Sequence, residues 1–175
     1  EGYRKRTVKA APKPLTMGER AWREAGRLVG VMEHGGNNRG AKVMEIIREN
    51  GGTGPEPWCG DFVAHCYRIA GSKSVTRLWA AVRYLGRIAG QVSVAVTGLR
   101  TGDIVVFTFG HTGLFGYYCN AMGEPMTRRK ATHIMTREGN TGATGAVSDS
   151  TTGGDGVYEK VRALSLVKRG SRVKR

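Results

Sequence analysis

The sequence predicts a single α+β domain with helices in its first half and an antiparallel sheet in its second half. Apolar residues recur at helical spacing up to about residue 88, and from Gly102 onward the pattern becomes that of strands separated by short turns. Helices followed by strands are the order typical of α+β folds. A length of 175 residues suits one compact domain with its own core.

Composition divides the chain into three parts. Residues 1–15 are basic and contain two prolines, which favours an extended arm or linker. Residues 16–165 form the globular domain, because the periodic apolar segments all lie there. Residues 166–175 are again basic, so we expect a solvated tail.

Three of the four predicted helices have clear limits or clear periodicity. The first starts at Thr16-x-x-Glu19, which has the form of a capping box, and apolar residues follow at helical spacing. The Gly- and Asn-rich segment 33–40 is then a loop, and a second amphipathic helix covers 43–47 before Asn and Gly residues end it. A further helix is predicted over 75–88.

The third helix begins at Cys59 and ends before Gly71, and the rest of the prediction depends on it. At ~100° per residue, the apolar side chains from Cys59 onward share one face, whereas Asp61, His65 and Arg68 share the other, so we expect only the first face to be buried. Unpaired backbone N–H groups and the positive end of the helix dipole favour a thiolate in the first turn. The alternative is that Cys59 is a small buried apolar residue, as most free cysteines are.

The second half of the chain predicts antiparallel strands joined by turns. Apolar and β-branched residues dominate these segments, with glycines at their ends. The Gly-, Ser- and Thr-rich stretch 141–156 is expected to be a loop. The predicted strands cover 104–107, 111–119, 133–140 and 156–162.

A histidine and two polar residues in these strands complete a possible catalytic arrangement. A thiolate nucleophile needs a base, and that base needs an acceptor that fixes its tautomer. His111 begins a strand directly after Gly110, so its ring is able to face the start of the third helix, and Glu138 or Asn140 is positioned to orient it. The alternative is an ordinary turn histidine. Trp58 and Gly110, each next to one of the reacting residues, are the expected substrate-binding residues.

The sequence around the remaining cysteines and histidines indicates packing or solvent exposure rather than catalysis. Cys59 and Cys66 on one helix are ~10.5 Å apart along its axis, too far for a disulfide, so we expect free thiols. Cys66 faces the core and Cys119 lies in a strand, which indicates packing roles. These spacings match no zinc site. His34 lies in a loop, where a solvated histidine is the commoner case.

Three ordered blocks of the sequence resemble the signatures of the CHAP domain, the cysteine, histidine-dependent amidohydrolases/peptidases. The blocks are 57–63 (PWCGDFV), 102–107 (GDIVVF) with 110–113 (GHTG), and 138–141 (EGNT). The loop at 33–40 is also similar to the lead-in loop of phage-lysin members. The resemblance covers nearly the whole globular part of the chain.

This resemblance implies a papain-like fold, with N-terminal helices packed on a C-terminal antiparallel sheet, and a catalytic domain over 16–165. It implies Cys59 as nucleophile, His111 as general base and acid, Glu138 as the group that orients His111, and Asn140 as a supporting polar residue. Backbone N–H groups at the helix start would hold the oxyanion. The Asp-x-Asp calcium loop of some members is absent, so we expect no metal and no cofactor.

The expected function is hydrolysis of an amide bond in peptidoglycan, by an N-acetylmuramoyl-L-alanine amidase or an endopeptidase of the phage endolysin or virion-associated type. Such an enzyme would occur in the host cytoplasm before release to the cell wall, or on the virion. The formal net charge of +14 implies a polyanionic partner, which by charge alone is nucleic acid, an acidic membrane surface or the phosphate-bearing polymers of a bacterial wall. The resemblance implies peptidoglycan and anionic wall polymers. The basic termini are further expected to contact other phage tail or virion proteins.

Two other functions fit the same residues. The first is a basic virion structural or nucleic-acid-binding component on a hydrolase-derived fold, although nucleic acid is not expected because stacking aromatics and reading motifs are missing. The second is a cysteine peptidase that acts on proteins. No segment approaches the ~18 apolar residues of a membrane span, and the N-terminus lacks the pattern of a signal peptide.

Overall fold

The structure is a computed structural model that describes residues 13–142 and 154–174. In this part of the chain three α-helices pack on a six-stranded antiparallel sheet, which confirms the α+β class. Most of the predicted arm 1–15 and of the predicted loop 141–156 lies outside the described residues. The helices are α1 (Met17–Leu28), α2 (Ala41–Glu49) and α3 (Cys59–Ile69). The strands are β1 (Gln91–Val94), β2 (Ile104–Phe107), β3 (Thr112–Cys119), β4 (His133–Thr141), β5 (Gly156–Ala163) and β6 (Val167–Val173).

Helix α1 begins at the predicted capping box. The Glu19 backbone N–H donates to Thr16 Oγ1 at 3.2 Å, and the Thr16 N–H donates to the Glu19 carboxylate at 2.7 Å. Two N–H groups at the helix start are therefore paired by side chains of the same turn. The buried face of α1, which includes Ala21 and Ala25, packs against α3.

Helix α3 starts and ends where the sequence predicts, but its burial differs from the prediction. Gly71 takes a φ of 92° and donates to the Arg68 carbonyl, the bond of a Schellman end. The expectation of one exposed face is wrong, since Asp61 and His65 are buried as fully as Cys59. The reason is that α1 and α2 cover one side of α3, while β3 and β4 cover the other.

The helix predicted over 75–88 does not form. Two 3₁₀ turns, Arg77–Ala80 and Val82–Tyr84, are separated by Ala81 in an extended conformation. The Arg169 guanidinium donates to three carbonyls of this segment at 2.6–3.1 Å. These carbonyls are held by a distant side chain rather than by the next helical turn, so tertiary contacts override the local periodicity.

The strand order is β1-β6-β2-β3-β4-β5, with antiparallel pairing throughout these strands. Strand β6 corrects the expected tail at 166–175, because it lies inside the sheet between β1 and β2. Its buried residues alternate imperfectly with basic ones, and Arg172 pairs with Asp103 at 2.6 Å. The basic side chains obscure the strand pattern in the sequence, whereas in the fold Arg169 binds carbonyls and Arg172 binds a carbonyl and a carboxylate.

The core is divided by the sheet. On the helix side, Ile104 and Val106 of β2 pack with the buried faces of α1, α2 and α3. On the other side, Val105 and Phe107 pack in a smaller cluster. Alternate residues of a strand point to opposite faces, so β2 is buried on both, as its uninterrupted apolar run predicts. The strand that leads to His111 is thereby packed on both faces.

Candidate active site

Cys59 is the first residue of α3 and its side chain is almost wholly buried, with 3% exposure. The residue before it, Trp58, occupies the N-cap position but makes no side-chain capping bond. The first-turn N–H groups of α3 are therefore not neutralised by a capping oxygen from Trp58. A sulfur anion, or an oxyanion that forms beside it, would meet these donors and the positive end of the helix dipole.

His111 lies immediately before β3, at the end of a tight turn that Gly110 makes with a φ of 80°. Its ring is 1% exposed and runs nearly parallel to the rings of Phe107, at 6.1 Å and 15°, and Phe109, at 5.9 Å and 13°. The His111 carbonyl also accepts from the Phe107 N–H at 2.9 Å. The turn and the aromatic pair together fix the plane of the imidazole.

The His111 ring lies between Cys59 and Glu138. Its Nε2 is 3.0 Å from Oε2 of Glu138 on β4, and Cys59 contacts the same ring. Neither ring nitrogen has a well-aligned hydrogen bond among the described residues, so we describe both as close polar contacts. With Nε2 at the carboxylate, Nδ1 is the nitrogen left for the sulfur. The structure thus brings together three residues that are 27 or more positions apart in the sequence.

A fourth side chain, Arg162 of β5, completes this network and was not among the residues predicted from the sequence. It donates through Nε to Glu138 Oε1 at 3.0 Å and through its terminal nitrogen to Oε2 at 2.6 Å. Thr136 donates its hydroxyl to Oε1 at 2.5 Å. Arg162 is 2% exposed. An arginine inside a strand is the only signal that the sequence holds for this role, because the pairing of β4 with β5 decides which carboxylate it meets.

These contacts set the charge states of His111 and Glu138. Burial opposes an imidazolium, but the charge of Cys59 and the polar contacts with Cys59 and Glu138 outweigh it and raise the pKa of His111 to about 9. Burial would also raise the pKa of Glu138, yet the close contact with His111 and the hydrogen bonds from Arg162 lower it to about 2. At neutral pH the site therefore favours a cationic imidazole held by an anionic carboxylate.

Asn140, the predicted supporting residue, is buried two positions beyond Glu138 but makes no hydrogen bond to His111. It has a φ of 56° and is the extra residue where the β4–β5 register shifts between Gly139 and Thr141. Asparagine tolerates this left-handed conformation better than most residues. Its place in the structure is thus explained by the backbone of the bulge.

The two expected substrate-binding residues lie in different environments. Trp58 is completely buried, and its indole N–H donates to Glu33 at 2.8 Å. No surface of Trp58 is accessible in this structure, so its role in substrate binding stays a prediction. Gly110 is exposed, and a Cβ added there would meet no atom within 4 Å, so the surface beside His111 is open at this point.

A second buried carboxylate, Asp61, lies two residues after Cys59. Asp61 Oδ1 accepts from Asn50 at 2.7 Å and from Arg77 at 3.1 Å, whereas Oδ2 has no partner among the described residues. Burial raises the pKa of Asp61 to about 6, although Asn50 and Arg77 act in the opposite direction. This network ties the loop before Cys59 to the 3₁₀ turn that begins at Arg77.

The other cysteines and histidines do not join the site. Cys66 and Cys119 are free and buried, and burial raises the pKa of both thiols. His65 Nδ1 pairs with Glu49 at 2.6 Å. Within residues 13–142 and 154–174, no three His, Cys, Asp or Glu side chains are grouped as metal ligands would be. No helix in this part of the chain has both the length and the apolar composition needed to cross a membrane.

No family model, no curated protein and no solved structure matches this chain. The assignment of a function therefore depends on the chemistry of the site. A sulfur at a helix start, an imidazole in contact with it and a carboxylate on the far ring nitrogen are the parts that nucleophilic acyl transfer requires.

Proposed function

We propose that this protein is a cysteine hydrolase with a CHAP-like, papain-like catalytic domain that cleaves an amide bond of bacterial peptidoglycan. The observation that supports it most directly is the position of His111, in contact with Cys59 on one side and 3.0 Å from Glu138 on the other. The three sequence blocks that resemble the CHAP domain contain these same residues.

In the first half of the reaction, the Cys59 thiolate attacks the carbonyl carbon of the scissile amide. The carbonyl oxygen becomes an oxyanion, which the backbone N–H groups at the start of α3 stabilise. The His111 imidazolium gives its proton to the leaving nitrogen as the carbon–nitrogen bond breaks. The products of this half are a free amine and an acyl group bound to the sulfur through a thioester.

In the second half, neutral His111 takes a proton from a water molecule while the water oxygen attacks the thioester carbon. The carbon–sulfur bond then breaks, which releases a carboxylic acid and restores the thiolate and the imidazolium. Glu138 keeps its charge throughout and holds the ring in one orientation. Arg162 in turn fixes Glu138, so that the carboxylate cannot rotate away from Nε2.

Peptidoglycan is the substrate class that the sequence favours. The formal net charge of +14 suits a wall that carries carboxylate and phosphate groups. We further propose a phage-encoded lysin, either released from the host cytoplasm to the wall or carried on the virion, where the basic termini would contact other tail proteins.

The test is the hydrolysis of purified cell walls, measured as the loss of turbidity of the suspension. Cys59→Ala is expected to keep the fold and to abolish the loss of turbidity. Cys119→Ala is the matched control, since it removes another buried thiol far along β3 from His111. A Cys59→Ala variant as active as the wild type would contradict the mechanism.

Mass spectrometry of the digest identifies the bond that is cut. New N-terminal L-alanine would indicate an amidase, whereas new glycine or D-amino acid ends would indicate an endopeptidase. If walls stay intact while a denatured protein is hydrolysed in a Cys59-dependent way, the protein is a cysteine peptidase and the wall substrate is wrong. Salt-dependent retention of DNA without any hydrolysis would instead support a basic structural component.

A further inference from the structure

A cationic cavity of about 380 Å³ opens on the surface next to His111. The segment of 3₁₀ turns, the end of β2 and the beginning of β6 form its walls. Four basic side chains line it: Arg83, Arg87, Lys168 and Arg169.

The cavity is adjacent to both members of the reacting pair. Phe107 and Gly110 line it, and they contact His111 through the ring stack and the chain. On the opposite wall, Ala81 follows Ala80, whose carbonyl oxygen lies 2.6 Å from where a Cβ on Gly60 would stand. Gly60 directly follows Cys59, so the cavity wall continues to the start of α3, and a substrate bound across Cys59 and His111 would have this cavity beside it.

Among the residues that the structure describes, the basic side chains of the cavity have no acidic partner. No acidic residue belongs to its described lining, and no carboxylate of the described residues pairs with Arg83, Arg87 or Lys168. Burial and then the nearby charge of Arg87 lower the pKa of Arg169, which indicates that these two cations repel each other. Three other surface cavities each include Asp103 or Glu19 in their linings.

The Arg83 guanidinium lies over the Tyr84 ring, and the other three cations have two different tasks. Arg169 is only partly exposed, and its guanidinium is bonded to the carbonyls of Val82, Arg83 and Leu85, so it holds the wall of the cavity in place. Arg87 and Lys168 are exposed. An anion bound beside Arg87 would relieve its repulsion with Arg169 and would accept charge-assisted hydrogen bonds from Arg87 and Lys168.

We propose that this cavity binds an anionic group of the substrate, a carboxylate or a phosphate oxyanion, and so positions the scissile amide over Cys59. The inference rests on the proposed function, because it assigns the part of the substrate that lies beside the cleaved bond. Phosphate polymers and free carboxylates of the stem peptide are the two sources of this chemistry in a cell wall.

The experiment compares the double variant Arg87→Gln/Lys168→Gln with Arg129→Gln/Lys130→Gln. The control removes the same charge from the loop between β3 and β4, where both residues are exposed, at the end of β3 distant from His111. On a soluble wall peptide with free carboxylates, the cavity variant is expected to raise KM about tenfold or more with kcat changed less than about threefold. The control is expected to change KM less than about twofold.

Two further substrates identify the source of the anion. The first is the same wall peptide with its free carboxylates converted to amides. If the KM difference between wild type and cavity variant disappears on this amidated peptide, the bound group is a carboxylate. If the difference is present only on walls that keep their phosphate polymers, the bound group is a phosphate. An equal rise in KM for cavity and control variants on every substrate would overturn the inference and leave only a general charge effect.

A binding measurement separates this inference from the proposed function. Pyrophosphate is titrated calorimetrically into wild type, the cavity variant and the control, with no turnover involved. Binding that is lost in the cavity variant and kept in the control supports the site even if no wall is hydrolysed. Identical heats in all three proteins would overturn it, even if Cys59-dependent lysis is found.

Discussion

Glu138 and Asp61 are both completely buried carboxylates, but their surroundings give them opposite tendencies. Glu138 accepts from Arg162 and Thr136 and lies 3.0 Å from His111. Asp61 has the neutral Asn50 and a half-exposed arginine on one oxygen, and nothing among the described residues on the other. Burial acts to raise the pKa of each, yet that of Glu138 falls to about 2 while that of Asp61 rises to about 6.

The difference shows that burial alone does not decide the charge of a carboxylate. Two cationic groups that are themselves buried compensate for the lost hydration of Glu138. At Asp61 the cation that pairs directly with the carboxylate, Arg77, is 44% exposed, so solvent weakens its field. Of the two, only Glu138 is therefore suited to hold a charged imidazole in place at neutral pH.

The largest expected effect is on turnover. Glu138→Gln should lower kcat on the order of 10²–10⁴-fold, because the ring of His111 loses the anion that orients it and favours its charged form. Asp61→Asn should lower kcat less than about tenfold, since Asp61 does not touch the pair. Steady-state kinetics on wall peptides measures both, with circular dichroism to verify folding. A greater loss of kcat in Asp61→Asn than in Glu138→Gln would contradict this difference between the two carboxylates.

The second effect concerns stability. Arg162→Met leaves a buried charge with one cationic partner fewer and should lower the free energy of unfolding by about 3–5 kcal/mol. Arg77→Met should cost about 1 kcal/mol or less, since Arg77 is 44% exposed. Urea unfolding at pH 7 measures both. The double variant Arg162→Met/Glu138→Gln should recover part of the loss, and a double variant worse than Arg162→Met would argue against a charge imbalance.

The third effect is a pair of opposite pH dependences. The Glu138 pKa falls from 4.5 to about 2 on folding, so its contribution is complete above pH 4.5 and is lost as the pH falls toward 2. The Asp61 pKa rises from 3.8 to about 6, so its contribution is complete below pH 3.8 and is lost as the pH rises through 6. Asp61→Asn should thus gain roughly 2–3 kcal/mol relative to wild type between pH 4 and pH 7.

Unfolding of wild type, Glu138→Gln and Asp61→Asn across pH 2.5–7.5 tests this. Relative to wild type, Glu138→Gln should become less unfavourable as the pH is lowered, whereas Asp61→Asn should become more favourable as the pH is raised. Difference curves with the same slope for both variants would show that the two carboxylates do not differ in this way.

The smallest effect concerns Asn140, which lies beside the Glu138 network. If its left-handed backbone explains the residue, Asn140→Gly should stay within about 0.5 kcal/mol of wild type, whereas Asn140→Ala should lose about 1 kcal/mol. Thermal unfolding and kcat are measured together. Turnover lost equally in both variants, with stability unchanged in Asn140→Gly, would instead show that the amide itself takes part in the reaction.

Local sequence patterns pointed to the three residues that meet in the site, but not to the arginine that holds the carboxylate in place. The glycine before His111 and the helix that begins at Cys59 are short-range features, and both occur where they were predicted. Glu138 was among the residues expected to orient the histidine, whereas Arg162 was missed. An arginine in a strand has no local signature that distinguishes a buried partner from a solvent-exposed side chain, because the partner is on another strand.

The errors have the same origin. Segment 75–88 has helical spacing, yet Arg169, 84 positions after Leu85, binds its carbonyls and it forms separate turns. The run at 166–175 is rich in charge, yet β6 fits between β1 and β2.

By itself, the sequence determined the order of elements, the capped start of α1, the glycine end of α3 and the candidate residues for the chemistry. Only the tertiary structure decided that α3 is covered on both sides, that β6 lies inside the sheet and that Arg162 meets Glu138. Caps and turns depend on neighbours within a few residues, which the sequence states directly. Strand pairing and buried charge depend on contacts between distant segments, whose free energy exists only once the chain has folded.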